Sequence, residues 1–368
     1  MLVKIWRLVT IMLTALSMGR RQTSLPAAAP PFGSQPRHQP HEGEGTVMTS
    51  NTLRFMLVTV ILAVSVRSEA AAQQWSPPSP AERCPSRWGA TDERGAANHM
   101  KPATVLRALQ LVKEGKIYEL GRVLEPGMPS ILGRSYGMYS MPIPGPPDIN
   151  HLRGYQELVV SELGHAGTQF DGLAHIAIGD MLYNCVKTDE VVTPRAGFTR
   201  FGVENVGAIV TRGVLLDVAA VKGVEMLEAG YEITVADLDA AMKRQGVAIG
   251  VGDAVLIHTG WGKLWLKDNA KYNSGWPGVG LTAAAWLAKA SPILVGSDNA
   301  GIELRPHPNP ALAFPVHQLL ITANGIFLLE NLDLQTLVRA NVSEFALVVL
   351  PLKMKGATGS TVAPIAVR

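Results

Sequence analysis

Short apolar runs alternate with helical segments through the second half of the chain, and this alternation restricts the fold more than any other feature. The runs in "DAVLIHTGW", "PILVGSD" and "GIFLLENL" have the length and β-branched content of buried strands. Between them, "TVADLDAAMKRQG", "TAAAWLAKAS" and "PVHQLLITAN" predict helices, the first opened by Thr234 and closed by Gly246. The sequence therefore predicts a chain of mixed α and β structure with more strand than helix.

The remaining segments extend this pattern towards both ends of the chain. Residues 101–116 predict a helix, whereas "IYELGRVL", "YQELVVSEL", "GAIVTRGVLLDVA", "FALVVLPLKM" and "TVAPIAVR" predict strands. The stretch "EPGMPSILGRSYGMYSMPIPGPPD" is so rich in Pro and Gly that it predicts a long loop of the kind that often carries function. Because neither a repeat nor a linker interrupts residues 73–368, we expect one domain there.

The N-terminus has the layout of a secretory signal peptide. From Met48 onward, a basic residue precedes a short apolar run at 55–66 and small residues at 70–72. The run is shorter than the about 20 residues that span a bilayer. We expect residues 48–72 to be a signal peptide, residues 1–47 to be an over-extended or disordered leader, and the mature protein to be secreted or periplasmic, with no membrane segment.

Charge and cysteine content narrow the possible partners. The whole chain has 33 basic and 30 acidic side chains. Removal of residues 1–72 would leave 26 basic and 27 acidic ones. A nearly neutral protein without a basic stripe is not expected to bind nucleic acid. Cys84 and Cys185 could form a disulfide in an oxidising compartment or remain two thiols, and the sequence leaves both possibilities open.

The segment "HAGTQFDGLAH", residues 165–175, concentrates polar side chains of the kind that bind metals. His165, Gln169, Asp171 and His175 all have odd numbers, so an extended chain would point them to one face. Imidazole and carboxylate groups are the usual ligands of zinc and manganese, whereas Gln169 offers only a neutral amide oxygen. Spacing alone leaves two interpretations open, a metal site and a polar strand whose histidines are hydrogen-bonded.

This segment resembles the signature His-x-Gly-Thr-His-x-Asp-x-Pro-x-His of the cyclase-like metal-dependent hydrolases, which include bacterial kynurenine formamidases and isatin hydrolases. Two positions depart from that pattern, because Gln169 replaces a ligand histidine and Leu173 replaces a proline. The resemblance runs from "RWGATDERGAAN" to "LLENLDL" and includes "RGVLLDVA", "GDAVLIHTGW" and "PVHQLLITANGIFLLENL". It implies an α/β fold, a swivelling β/β/α single domain with a mixed sheet, that is usually homo-oligomeric.

The resemblance also assigns roles to residues. It implies a divalent manganese or zinc ion, with the proton-transfer role at His175 and the metal-lining positions His165, Gln169, Asp171, His317 and Glu330. Otherwise His317 would be a helix-surface histidine and Glu330 a strand-end carboxylate. The implied activity is hydrolysis of an amide C–N bond in a small N-formyl or cyclic amide substrate by metal-activated water. A purely cytosolic role in tryptophan catabolism fits the expected export poorly.

Other functions compete with this hypothesis. The first alternative is a secreted binding protein of the same fold that lost activity through Gln169. The second is a serine hydrolase, because "GRSYG" matches a nucleophile motif around Ser135, although the required strand before it and helix after it are not indicated. His258 and Trp261 are predicted to border the substrate pocket; otherwise "HTGWG" is a strand end and a turn.

Overall fold

The computed structural model describes residues 75–143, 145 and 149–368. The expected leader at 1–47 and signal peptide at 48–72 lie outside these residues. Within the described part of the chain, no helix is long and apolar enough to cross a membrane.

The strands of the described residues are β1 (Ile117–Glu119), β2 (Tyr136–Pro142), β3 (Tyr155–Ser161), β4 (Gln169–Asp171), β5 (Val192–Thr193), β6 (Gly197–Phe198), β7 (Ile209–Asp217), β8 (Glu232–Ile233), β9 (Ala254–His258), β10 (Gly278–Val279), β11 (Leu294–Ser297), β12 (Phe327–Glu330), β13 (Glu344–Val349), β14 (Gly359–Thr361) and β15 (Ile365–Val367). Nine of them form one mixed sheet in the order β1-β15-β13-β7-β9-β11-β12-β4-β14.

The α-helices of the described residues are α1 (Pro80–Arg83), α2 (Pro102–Leu109), α3 (Thr188–Val191), α4 (Val218–Val221), α5 (Val235–Gln245), α6 (Asn269–Ser274), α7 (Leu281–Ala290), α8 (Pro315–His317) and α9 (Gln335–Arg339). A π-helix, Gln318–Ala323, continues directly from α8. Shorter 3₁₀ turns span Gly95–His99, Tyr183–Cys185, Val203–Asn205 and Trp261–Leu264.

Four parallel strands, β7, β9, β11 and β12, form the centre of the sheet. Helices lie in every connection between them, and α5 contacts α7, which in turn contacts the π-helix. Every residue of β9, β11 and β12 is buried, as expected for strands covered on both faces. The predicted α/β fold with a mixed sheet is confirmed.

The edge of the sheet next to β12 positions the residues of the polar segment. The short strand β4 pairs antiparallel with β12, which sets Glu330 opposite Gln169 and Leu328 opposite Asp171. On its other side β4 pairs with β14. The carboxyl end of β12 and the whole of β4 therefore lie side by side, although they are about 160 residues apart in the chain.

Several expected elements are confirmed. Helix α5 begins after Thr234, which forms a capping box with Asp237, and ends at Gly246 in the left-handed region with φ +66°. The strand expected in "YQELVVSEL" is β3, and the strand expected in "DAVLIHTGW" is β9. Each of these segments had both a clear period and a clear boundary signal.

Other expectations were wrong in extent or type. An extended chain over 165–175 was expected, but only Gln169–Asp171 is a strand, because Gly167 turns the backbone at φ +65°. The long loop expected at 125–148 contains β2, which pairs with β3 over its whole length. Its Tyr and Met side chains favour a strand despite the neighbouring Pro and Gly.

A disulfide joins Cys84 and Cys185, whose Cα atoms lie 6.0 Å apart. It connects the residue after α1 to a 3₁₀ turn 101 positions later in the chain. Of the two possibilities that the sequence left open, the structure has the disulfide.

Candidate metal centre

Asp171 lies at the centre of a group of histidines at the end of β4. Its side chain is fully buried. Its Oδ1 is 3.2 Å from Nδ1 of His165 and 3.9 Å from Nε2 of His175. Its Oδ2 is 3.8 Å from Nε2 of His317 and has no hydrogen-bond partner among the described residues. The backbone turns on either side of β4 bring His165 and His175 back to this carboxylate.

The second pair expected from the sequence, His317 and Glu330, also meets here. Nε2 of His317, at the end of α8, lies 3.3 Å from Oε1 of Glu330, at the end of β12. Both side chains are buried. The structure therefore brings His165, Asp171 and His175 from one segment together with His317 and Glu330 from another.

The charges in this cluster shift one another's pKa values. Burial would raise the pKa of Asp171, but the charges of His175, His165 and His317 outweigh burial and lower it below its usual range. Burial and the neighbouring cations lower the pKa of His175 to about 4. Burial and the charge of Asp171 raise the pKa of Glu330. The carboxylate of Asp171 is thus ionised and the imidazole of His175 neutral near neutral pH.

The donor set fits a divalent cation. Two groups place their ligand atoms within 4.8 Å of one another, and Asp171 belongs to both: one with His165 and His175, the other with His317 and Glu330. An ionised carboxylate oxygen buried without a partner is costly unless a cation or donor satisfies it. Imidazole nitrogens and carboxylate oxygens are ligands that zinc and manganese accept. The free Oδ2 of Asp171 therefore marks a position suited to a cation.

A cavity of about 120 Å³ opens onto this group. Polar side chains on its wall include Gln169, His175 and His317, while Trp276 and Phe314 contribute flat apolar surfaces. The arrangement places the neutral imidazole of His175 and the carboxyl group of Glu330 on the wall of a small, partly apolar space.

Comparison with known proteins places the chain in a family. The Cyclase family model, described as "Putative cyclase", matches residues 95–304, which is more than half of the chain. The chain belongs to the Cyclase family. A solved structure titled as that of a novel cyclase is 30% identical, with a TM-score of 0.70, and the match covers 76% of this chain and 98% of that one. The predicted family is thus confirmed.

Two isatin hydrolases share the fold of this Cyclase-family protein. Isatin hydrolase A from Ralstonia solanacearum is 23% identical with a TM-score of 0.50, and the match covers 73% of this chain and 99% of that one. Isatin hydrolase A from Labrenzia aggregata, solved with benzyl benzoate, is 21% identical with a TM-score of 0.51, and the match covers 68% of this chain and 93% of that one. At these identities the similarity shows the fold alone. A search of curated proteins finds no match.

Gln169, the position that departs from the motif, turns its amide nitrogen towards the carboxylates. Its Nε2 donates to Oε2 of Glu330 at 2.9 Å and to Oδ1 of Asp171 at 3.3 Å. Its Oε1 accepts a hydrogen bond from Nη1 of Arg134 at 3.2 Å. The structure thus brings Gln169 into the group, with its oxygen directed away from the other ligand atoms.

Glu303 and Arg134 are two site residues that sequence reasoning missed. Glu303 is buried, and its carboxylate pairs with Nδ1 of His317 while accepting from the backbone N–H of Val316 at 2.8 Å. Burial would lower the pKa of His317, but the charge of Glu303 outweighs it and raises that pKa well above its ordinary value. A lone acidic residue within the apolar "AGIEL" was the signal that could have indicated Glu303.

His258 and Trp261 lie elsewhere in the Cyclase-family fold. His258 is buried at the end of β9, where its Nδ1 lies 2.8 Å from Oδ1 of Asp217. Trp261 is fully buried in an aromatic cluster with Trp265, Tyr272 and Trp276. Neither is among the described residues that line the cavity, although Trp276, which belongs to the same aromatic cluster as Trp261, does line it. Their substrate-binding role stays a prediction.

Ser135 has none of the surroundings of a serine nucleophile. It is exposed, and its Oγ donates to Oε2 of Glu162 at 3.3 Å. The turn before it leads into strand β2, whereas the nucleophile motif needs a strand before the serine and a helix after it. The serine-hydrolase alternative therefore lacks its structural context.

Proposed function

We propose that this protein is a metal-dependent hydrolase that cleaves the amide C–N bond of a small N-formyl or cyclic amide substrate. The observation that carries the proposal is the convergence of Asp171 with three histidines and Glu330 beside a small cavity. Membership of the Cyclase family and the similarity to a solved cyclase support an enzyme of this kind. The amide substrate rests on the resemblance of the 165–175 motif.

The residues that would hold a manganese or zinc ion are Asp171, His317 and Glu330, with His165 beside them. When bound, such an ion supplies Lewis acidity, which activates water and polarises a carbonyl group. Glu303 pairs with Nδ1 of His317 and so directs Nε2 towards the group, where a bound cation would take the place of the proton on that nitrogen.

His175 is placed to move a proton. It lies on the cavity wall, and its Nε2 is 3.9 Å from Oδ1 of Asp171. At this distance the negative charge of Asp171 stabilises the imidazolium that forms when His175 accepts a proton from water. The same nitrogen can then deliver that proton to the leaving nitrogen of a cleaved amide.

The cavity favours small, flat substrates. A volume of about 120 Å³ lies below the roughly 300–1,000 Å³ of most ligand pockets. Trp276 and Phe314 would contact the faces of a planar group, while Arg134 places a permanent positive charge on the wall.

Metal quantitation with a panel of formamide and lactam substrates tests the function. We expect bound manganese or zinc, hydrolysis of at least one substrate, loss of activity on chelation and its return with metal. In a His175→Ala variant the ion should remain while turnover falls by about 10²-fold or more. Full activity in this variant would refute the proton-transfer role.

The competing functions give different results in the same experiment. A binding protein would hold metal and ligand without turnover. A serine hydrolase would survive chelation and fail as Ser135→Ala, whereas our proposal expects Ser135→Ala to keep its activity.

We propose further that the protein is exported and that its mature chain begins after residue 72. The Cys84–Cys185 disulfide supports this, because disulfides persist mainly in oxidising compartments. N-terminal sequencing of the native protein should give a start near Gln73. A peptide from residues 1–47 in the native product would contradict a mature chain that begins after residue 72.

A homodimer is the third part of the proposal, and the β2–β3 hairpin supports it. Every residue of β3 before Ser161 is exposed, and a two-stranded hairpin alone is marginally stable. The large apolar side chains that are more than a third exposed in this region are Leu132, Met138, Tyr139, Met141, Ile143, Ile149, Leu152, Tyr155, Leu158, Val159 and Val160.

Together these side chains expose roughly 1,000 Å² of apolar surface, at about 100 Å² each, spread over both faces of the hairpin. A partner that packs against both faces would therefore bury about the 800 Å² that each partner contributes to a standard interface. An apolar patch with few charges is self-complementary, so a second copy of the chain fits it.

Light scattering should report a dimer. Leu158→Glu with Val160→Glu should yield monomers, and Gln156→Glu on the same strand face is the matched control. A monomeric wild type would overturn this part.

A further inference from the structure

Gln169 stands between an anionic and a cationic neighbour, and its amide is hydrogen-bonded at both ends. Its Nε2 contacts Glu330 and Asp171 at 2.9 and 3.3 Å, and its Oε1 accepts from Arg134 at 3.2 Å. We propose that Gln169 is a positioning residue rather than a metal ligand, and that the site holds one divalent ion, at Asp171, His317 and Glu330. This rests on the proposed function only in requiring that the site binds such an ion.

The chemistry of the neighbours permits only one orientation of the amide. Reversal would set Oε1 against the oxygens of Glu330 and Asp171 and would set the NH₂ group against the Arg134 guanidinium. All three contacts would then be repulsive. In the observed orientation the amide oxygen, which is the atom that could bind a metal, is directed to Arg134.

The two N–H bonds of the amide divide the carboxylate oxygens into two sets. They engage Oδ1 of Asp171 and Oε2 of Glu330. Oδ2 of Asp171 has no hydrogen bond, and Oε1 of Glu330 accepts one, from the backbone N–H of Ile302 at 3.0 Å. Together with Nε2 of His317, these two oxygens form one buried ligand set.

The second group, around His165 and His175, is less suited to an ion of its own. Its carboxylate atom, Oδ1 of Asp171, already accepts from Gln169. Nη1 of Arg134 also donates to the backbone oxygen of His165 at 3.1 Å, which places a permanent cation beside this group. A second dication there would be repelled by Arg134, and its ligands would be two imidazoles and the carboxylate of Asp171, which the first ion already uses. A histidine at position 169 would add a third imidazole to this group.

Zinc binding to the full chain tests the inference without any assay of activity. The purified protein is stripped with a chelator and dialysed against Zn²⁺, and the bound ions per chain are counted. We expect one ion in the wild type and two in Gln169→His. Gln169→Met, which keeps the length of the side chain but loses the donors, should still bind one ion, about tenfold more weakly.

Two further variants locate the ion in the background of the native Gln169. His317→Ala should abolish zinc binding, and His165→Ala should retain it within a few-fold. These variants also decide the matter if Gln169→His does not fold. The inference is overturned if the wild type binds two ions, or if the single ion is lost in His165→Ala and kept in His317→Ala; both results leave the proposed function intact. A wild type that binds no ion overturns both.

Discussion

At the scale of single residues, Glu303 shows how a buried carboxylate controls an imidazole from another element. It pairs with Nδ1 of His317 and leaves Nε2 directed to Asp171 and Glu330. Such a partner fixes the tautomer of a ligand histidine and increases its basicity. The residue that neighbours the ligand set thus influences how strongly the set binds a cation.

Replacement of Glu303 by Gln should weaken zinc binding by about 10–100-fold, because the amide keeps the shape but loses the charge that supports His317. Competition with a chromophoric chelator measures the affinity. Glu225→Gln is the control, since the side chain of Glu225 is 92% exposed and lies outside the site. Equal affinity in Glu303→Gln and wild type would show that the pair only packs the core.

The site residues differed in how far the sequence could predict them. His165, Asp171 and His175 share one short motif, so local spacing was enough to group them. Glu303 and Arg134 reach the site from segments whose position depends on the whole fold. The sequence marks Glu303 as an acidic residue in an apolar segment, but it does not indicate which side chains Glu303 and Arg134 contact. Gln169 was predicted as a lining residue, but the direction of its amide depends on Arg134.

At the scale of secondary-structure elements, neighbouring parallel strands bring polar residues together at their carboxyl ends. Asp217 ends β7, His258 ends β9, and the two are partners in the strand register. His258 also lies 3.8 Å from Oδ2 of Asp298, just past the end of β11. Three adjacent strands therefore finish in one buried group of charges, separate from the candidate metal centre.

This group predicts a pH dependence of stability. Burial would lower the pKa of His258, but the hydrogen bond to Asp217 and the charge of Asp298 outweigh burial and the repulsion from Lys263, so the pKa is raised. A histidine whose pKa is higher in the folded than in the unfolded protein contributes fully to the free energy of unfolding at pH values below its unfolded-state pKa, about 6.5. This contribution is lost as the pH rises through the folded-state pKa. Stabilisation by His258 should therefore decline above about pH 6.5.

His258→Gln tests this prediction by chemical denaturation at several pH values. We expect the variant to lose roughly 3 kcal/mol of unfolding free energy near pH 6, since a buried charge pair is broken, and to lose less near pH 9. His151→Gln, at an exposed histidine, is the control. A wild-type-to-variant difference that stays constant from about pH 6 to 9 would exclude a charged His258.

The elements that sequence patterns predicted best are those with their own boundary signals, such as α5 with its cap at each end. Of the hairpin β2–β3, strand β3 was predicted but β2 was missed, because β2 carries few of the alternating polar residues that mark a half-buried strand and lies among Pro and Gly residues. The helix expected at 315–324 exists, but most of it is a π-helix. Propensity does not distinguish that geometry from α, whereas tertiary packing does.

At the scale of the whole molecule, the disulfide attaches the N-terminal segment to the body of the fold. Close to Cys185, the side chain of Asn184 accepts from the backbone N–H of Ser86 at 2.8 Å and donates to the carbonyl oxygen of Gly89 at 2.9 Å. The hydroxyl of Tyr183 donates to Asp92 at 2.7 Å. The covalent link and these hydrogen bonds thus hold residues 84–92 against one turn of the chain.

Removal of the link should lower stability markedly. The cysteines are 101 positions apart, and in the chain-entropy model a disulfide that closes a loop of about 100 residues in the unfolded chain stabilises the fold by roughly 4.7 kcal/mol. Cys84→Ser with Cys185→Ser should therefore unfold at lower denaturant, and a reducing agent should bring the wild type to the same midpoint while leaving the variant unchanged. If the reductant does not shift the wild type, the disulfide contributes no stability, and its support for an exported protein is lost as well.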